Sequence, residues 1–345
     1  MILPHSCFNE VLIYRFGGCD GTRPHVTQFP TTYLKRAAHG DTWAAWEENM
    51  KKSFKILVFG NSYSVDALTY LYKIFAGAGY EEVVIGHICD GGCNINQHWQ
   101  NIDDTLECFH PAHADAIAMD GTAGCAISVN GVAKQTEGAN IKERYQKTIS
   151  AYDWDFVSIQ HGPKHVEQVD TYSYLRNLLD FIKENLISEK TKFAFHMIWK
   201  YNDNIHPSNS SALQYDKILE IARGTVLTQP EFEVLIPAVT FRQNMMSSYL
   251  SDVDIARDYG HMGLTLGRYS LGLLWYCALT GGSVEDTSFI ASRADVDEET
   301  IAQFTEKYNH IHIDITEKDM AVIKESIQNA IAKPFEITES KYKAI

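Results

Sequence analysis

The chain has 345 residues, 45% of them hydrophobic, and 44 acidic against 30 basic side chains, for a formal net charge of -14. That length allows a sizeable core, and the acidic balance disfavours nucleic acid or an anionic membrane as a partner through bulk electrostatics. No stretch approaches the roughly 20 apolar residues of a membrane span, and the seven cysteines, odd in number and without Cys-x-x-Cys spacing, indicate neither a disulfide framework nor a zinc ribbon.

Residues 1–49 show no sustained period, a Gly- and Pro-rich cluster from Gly17 to Pro24, and no apolar core of a signal peptide. They read as an N-terminal extension, either loosely packed or upstream of a native start at Met50. Alternatively, Asp41 to Lys52 forms a short amphipathic helix through Trp43, Trp46 and Met50. A reducing, cytoplasmic location fits the cysteines and the lack of a leader.

The chain is organised around Lys55 to Phe75. Ile56 to Phe59 is an apolar run of strand length, which predicts a buried, central, parallel strand. From Val65 the apolar positions fall at Val65, Leu68, Leu71, Tyr72 and Phe75, the spacing of one helix face. Gly60-Asn61-Ser62 makes the sharp turn between them and exposes Ser62 at its apex, beside the unpaired N–H groups of a helix start. The plainer reading is a βα unit in which Asn61, Ser62 or Ser64 only caps the helix.

Further strands are predicted at Glu82 to Ile88, Asp155 to Gln160, Lys192 to Ile198 and Glu233 to Ala238. Helices are predicted at about 140–151, 171–186, 210–227, 264–280 and 317–332. Such alternation predicts an α/β fold with a five-stranded doubly wound parallel sheet between helical layers, and ligands at the carboxyl ends of its strands. Phe109 to Ala133 interrupts the alternation. Its Asn130-Gly131 pair predicts a β-hairpin, read as an insertion over one side of the site or as simple decoration.

Other segments bring candidate groups to the same edge. Gly91 and Gly92 allow a tight βα turn whose N–H groups point at the site mouth. Gln160 offers a side-chain amide to a tetrahedral oxygen, with His161 as its competitor. His196 and Trp199 end the fourth strand as pocket wall or as core. His110-x-x-His113 and His161-x-x-x-His165 have ligand spacing, but Pro111 and Gly162-Pro163 argue against regular helices there, so no metal and no cofactor is expected. Cys93 as a nucleophile lacks any histidine placed to serve it. Late in the chain, Asp258 and His261 stand three apart on one loop, a carboxylate and an imidazole suited to orient and to accept a serine proton.

The Gly60-Asn61-Ser62 turn and the Asp258-x-x-His261 loop resemble the first and last blocks of the SGNH (GDSL-type) hydrolases. Asp90 to Trp99, Val157 to Gly162 and His196 to Trp199 resemble a branch of largely uncharacterised bacterial SGNH-like proteins, and the similarity covers Lys55 to Asp286. The chain departs from the superfamily pattern in having Asn61 where Asp is usual and in lacking Gly-x-Asn in the third block. The resemblance implies a flavodoxin-like hydrolase domain over 50–286, with 287–345 as a C-terminal helical appendage. It implies a serine esterase with Ser62, Asp258 and His261 as triad, and with the Ser62 and Gly92 N–H groups and Gln160 as oxyanion hole. Asn61, His196 and Trp199, as hydrogen-bonding groups and flat aromatics, suit a short-acyl, acetyl-type ester of a carbohydrate or similar polar alcohol. The rival reading is a flavodoxin-like module that binds a phosphate or cofactor at the Gly60 to Ser64 turn without hydrolysis.

Overall fold

The structure, a computed structural model, describes residues 52–103, 124–200, 211–258, 260–308 and 312–343. The N-terminal extension, the insertion ahead of Gly124 and both His110 and His113 lie outside the described residues.

Strand β1 (Ser53–Gly60) contains the run Ile56 to Phe59, and all four side chains are buried because the strand is covered on both faces. Helices α1 (Ser62–Leu68) and α2 (Leu71–Gly77) follow. The single stripe read from Val65 to Phe75 is thus broken at Thr69-Tyr70, where the Tyr70 hydroxyl donates to the Leu264 carbonyl at 2.9 Å. Next come β2 (Glu82–Cys89), α3 (Ile95–Gln100), the hairpin β3 (Gly124–Val129) and β4 (Val132–Gln135), α4 (Ile141–Ile149), β5 (Phe156–Gln160), α5 (Leu175–Asn185) and β6 (Lys192–His196). The last third holds α6 (Ser211–Ile221), β7 (Phe232–Ile236), α7 (Ala238–Met246), α8 (Asp252–Ile255), α9 (Leu266–Thr280), α10 (Glu298–Tyr308) and α11 (Glu317–Ala332).

The protein is a mixed α/β fold with a seven-stranded sheet in the order β4-β3-β2-β1-β5-β6-β7. The five strands expected from the sequence pair in parallel, and the hairpin adds two antiparallel strands at the β2 edge. Asn130 and Gly131 take positive φ values of 50° and 81°, as a two-residue hairpin turn demands. The Asn130 side chain accepts from Val83 N–H at 2.8 Å and donates to the Glu81 carbonyl at 3.1 Å. This ties the hairpin tip to the start of β2, at the opposite end of the sheet from Gly60. The described part of the hairpin therefore widens the sheet and does not cover the site.

From β1 the connections step towards β2 in one direction and towards β5, β6 and β7 in the other. Crossovers between parallel strands are right-handed as a rule, which puts the helices of the two directions on opposite faces. Helix α9 packs on α1, α2, β7 and α11, while α3 packs on α5 and α4 on β2 and β3. Helix α9 is apolar nearly all round and ends on Gly281 in the left-handed conformation at φ 70°. Such a helix needs cover on several sides. Val322, Ile323, Ile327 and Ala330 of α11 supply part of it and join the same core as Leu271, Leu274 and Trp275. In the structure, the segment read as a surface appendage has a load of buried apolar side chains. Cys89, Cys93, Cys125 and Cys277 are buried, and among the described residues no helix is long and apolar enough to cross a membrane.

Candidate active site

The carboxyl end of β1 lies between those of β2 and β5, where the connections reverse direction, the place at which open α/β sheets bind their ligands. A side chain at Gly60 would bring a Cβ to 2.3 Å from Ser64 Oγ, so only glycine lets the chain turn this tightly. Asn61 is the extended N-cap of α1, with Oδ1 accepting from Tyr63 N–H at 3.0 Å and its carbonyl accepting from Ser64 N–H at 2.9 Å. Ser62, half-buried, opens the helix.

The second loop reaches this turn from the connection between α8 and α9. His261 Nε2 stands 2.8 Å from Ser62 Oγ, and His261 Nδ1 stands 2.8 Å from Asp258 Oδ2. The other carboxylate oxygen accepts from the backbone N–H groups of Gly260 at 2.9 Å and His261 at 2.7 Å. Burial pushes the Asp258 carboxyl up, but the His261 side chain and these two amides outweigh it and hold it down at about 2. A fixed carboxylate selects the imidazole tautomer with the proton on Nδ1, which leaves Nε2 as an acceptor facing Ser62. Such an arrangement can generate a serine nucleophile.

The loop is anchored by charged groups that the sequence reading passed over and by Trp199, which it placed in the pocket wall or the core. Asp66 on α1 receives Arg257, Arg268 and the Met262 N–H, and the Trp199 indole donates to the Gly260 carbonyl at 2.7 Å. One signal was present for Asp66: it is the single charged residue in the SYSVDAL helix, four positions after Ser62.

The remaining candidates fall in different places from those expected. Asn61 is fully buried and donates to the Cys93 carbonyl at 2.9 Å and the His161 carbonyl at 3.1 Å, so it holds loops together beneath the site. Gln160 donates its amide to Asn61 Oδ1 at 2.7 Å and pairs through Oε1 with His196 Nδ1 at 2.7 Å. It is buried and aimed at the turn from below, away from any tetrahedral oxygen. His161 does not replace it: its ring stacks on Tyr172 at 3.8 Å, with Nδ1 near Ile95 N–H and Nε2 on Thr171 Oγ1. Both nitrogens are thereby engaged, which removes it from the His161/His165 ligand pair. Burial drives His161 and His196 down to about 3, so both are neutral core imidazoles. Trp199 is 2% exposed and packs against Tyr63 at 4.9 Å, which makes it an internal brace and no substrate platform. Burial raises the Cys93 thiol well above its ordinary range, so it is no thiolate.

Gly92 lies in the turn that follows β2. Its φ is 69°, and a Cβ there would meet nothing within 4 Å, so its peptide borders open space. Asn61 ties the neighbouring Cys93 carbonyl to the Ser62 turn, and Asp90 N–H bonds the Gly60 carbonyl at 3.2 Å. The glycine loop and the serine turn therefore form one ledge.

Residues 55–309 match the model of a family described as a domain of unknown function (DUF4886). The crystal structure of a DUF4886 family protein from Bacteroides uniformis is similar at 24% identity and a TM-score of 0.65, over 85% of this chain and 100% of that one, a likeness of fold. A protein from Slackia heliotrinireducens titled "a putative SGNH hydrolase" aligns at 13% identity and a TM-score of 0.37, over 66% of this chain and 100% of that one. That likeness is too distant to carry an argument. No curated protein matches the chain.

Proposed function

The chain belongs to the DUF4886 family, which is defined by a domain and not by a chemistry, and from its site we propose that it is a serine hydrolase of SGNH type that cleaves ester bonds. The observation that carries this reading is the unbroken line from Ser62 Oγ through His261 to Asp258, with 2.8 Å at each step. Nε2 takes the serine proton as Oγ attacks an ester carbonyl, and Asp258 supports the imidazolium that results. His261 then returns the proton to the leaving alcohol, and water, activated by the same nitrogen, releases the acyl group. The Ser62 and Gly92 N–H groups are the proposed oxyanion donors. Gln160 is left out of that role because its amide bonds Asn61.

For the substrate we keep to a short-acyl ester of a polar alcohol. An acetylated carbohydrate now has only the superfamily resemblance behind it, since Asn61, Gln160, His161, His196 and Trp199 are buried. The rival phosphate-binding reading is weakened at the turn itself, where the Tyr63 and Ser64 amides already bond Asn61.

A fluorophosphonate probe and a chain-length series of p-nitrophenyl esters test the proposal. Labelling should map to Ser62, with turnover falling beyond butyrate. Ser62→Ala should lose labelling and about 10⁴ to 10⁶ in turnover, as for other triad nucleophiles. Tight phosphate binding without labelling would favour the binding module.

A further inference from the structure

Asp66 is a carboxylate with 0% of its surface exposed, one helical turn past Ser62 on α1. A charge at that depth persists only when it is paired and hydrogen-bonded. Its partners all come from one stretch of chain. Arg257 Nη1 donates to Oδ1 at 2.6 Å, Arg268 Nε to the same oxygen at 2.9 Å, and Met262 N–H to Oδ2 at 2.8 Å. Arg257 immediately precedes Asp258 and Met262 immediately follows His261, so a single side chain on the serine's helix grips the acid–base loop at both ends.

The loop is closed on itself at the same place. Arg257 N–H donates to the His261 carbonyl at 3.0 Å, the Arg257 guanidinium donates to the Met262 carbonyl, and Ala256 bridges Met262 in antiparallel fashion. Gly267 lets α9 close over this ring, since a Cβ there would lie 2.3 Å from the Ile255 carbonyl oxygen. Burial pushes the Asp66 carboxyl up, but Arg257, Arg268 and His261 together bring it below its ordinary value and keep it ionised. The cluster is therefore a charged clasp between α1, the loop and α9.

We propose that Asp66 is a positioning residue for the hydrolysis put forward above: it sets the Ser62–His261 geometry by locking the 257–262 loop to the helix that carries the serine, and its charge offsets two arginines that would otherwise oppose an imidazolium at His261. The inference rests on the serine-hydrolase reading. Among the described residues, the charged groups around His261 include Asp258 and Arg257 on its own loop, Asp66 on α1 and Arg268 on α9, with Tyr63 edge-on at a centroid distance of 5.2 Å.

The test uses Asp66→Asn and Arg268→Gln in the full chain, with steady-state kinetics, fluorophosphonate labelling and proton NMR of the His261 Nδ1–H. Asp66→Asn should lower kcat and the labelling rate by about 10²-fold with KM unchanged, the cost of a misplaced reacting pair. It leaves two uncompensated arginines, so the acid limb of its pH profile should move to lower pH. Arg268→Gln removes a cation, so its smaller loss in kcat should come with a shift to higher pH. General loosening would not produce opposite shifts. If Asp66→Asn does not fold, Arg268→Gln carries the test alone, and an unmoved limb overturns the proposal. Wild-type kcat and an unaltered low-field proton in a folded Asp66→Asn protein also overturn it. Should the wild type prove neither labelled nor active, loss of that proton in Asp66→Asn would sink the hydrolase reading and leave the clasp standing.

Discussion

The two loops that meet at Ser62 are held by different physics. The 60–64 turn rests on neutral hydrogen bonds centred on buried Asn61, which accepts from Tyr63 and Gln160 and donates to Cys93 and His161. The 257–262 loop rests on charge, through Asp66, Arg257 and Arg268, with the Trp199 indole as a neutral addition. The turn ends a central strand, so backbone from β2 and β5 already surrounds it and a short amide can reach both neighbours. The acid–base loop lies between two helices and ends no strand. Arginines from either side of the loop, converging on a helix-borne carboxylate that also takes the Met262 N–H, tie it to both helices.

Removing the neutral hub should have the largest effect on folding. Asn61→Ala orphans several buried groups at once, each costing about 1–3 kcal/mol. The expected result is a large fall in the denaturant midpoint together with slower labelling of Ser62. A variant as stable as the wild type would show that the backbone alone holds the turn.

A smaller change separates the neutral and charged supports of the second loop. Trp199→Phe removes the bond to the Gly260 carbonyl while keeping a ring against Tyr63. A loss of about 0.5–1.5 kcal/mol is expected for one buried hydrogen bond, with a modest drop in turnover. Unchanged turnover would assign the loop's position to the Asp66 clasp alone.

The smallest expected effect reads the contrast through pH. His312 stands 3.7 Å from Asp254 on α8 and 3.2 Å from Asp319 on α11. The carboxylates of Asp254 and then Asp319 outweigh burial and lift it to about 9. A histidine ordinarily titrates at about 6.5, so this stabilisation is complete below that value and fades as pH rises through about 9. The stability difference between wild type and His312→Gln should therefore shrink over that window. A difference that stays constant would show that the imidazole is held by packing and not by its charge.

Much of this was legible in local patterns. The Ile56–Phe59 run, the 266–280 helix and the Asn130-Gly131 turn each announce themselves within a few residues, because strand burial, helical period and positive φ are local properties. The turn that carries Ser62 and the carboxylate three residues before His261 were visible for a related reason, since both are short motifs; the roles proposed for them remain for the labelling experiment to test. The roles of Gln160, His196 and Trp199 were misread. Strand position places them at the sheet's carboxyl edge, but not whether they point up into the crevice or down beneath it.

By itself, the sequence determined the alternation of strands and helices, the sharp turn that presents Ser62, and the acid–histidine pair available to serve it. Those features follow from neighbours along the chain. Only the tertiary structure decided that Gln160 bonds Asn61 in place of an oxyanion, that α11 belongs to the core, that the hairpin widens the sheet at the β2 edge, and that Asp66 ties α1 to a loop beginning at Arg257, 191 residues later. Each of these depends on which group fills the space beside another, and in a close-packed interior that is settled by the joint fit of distant segments.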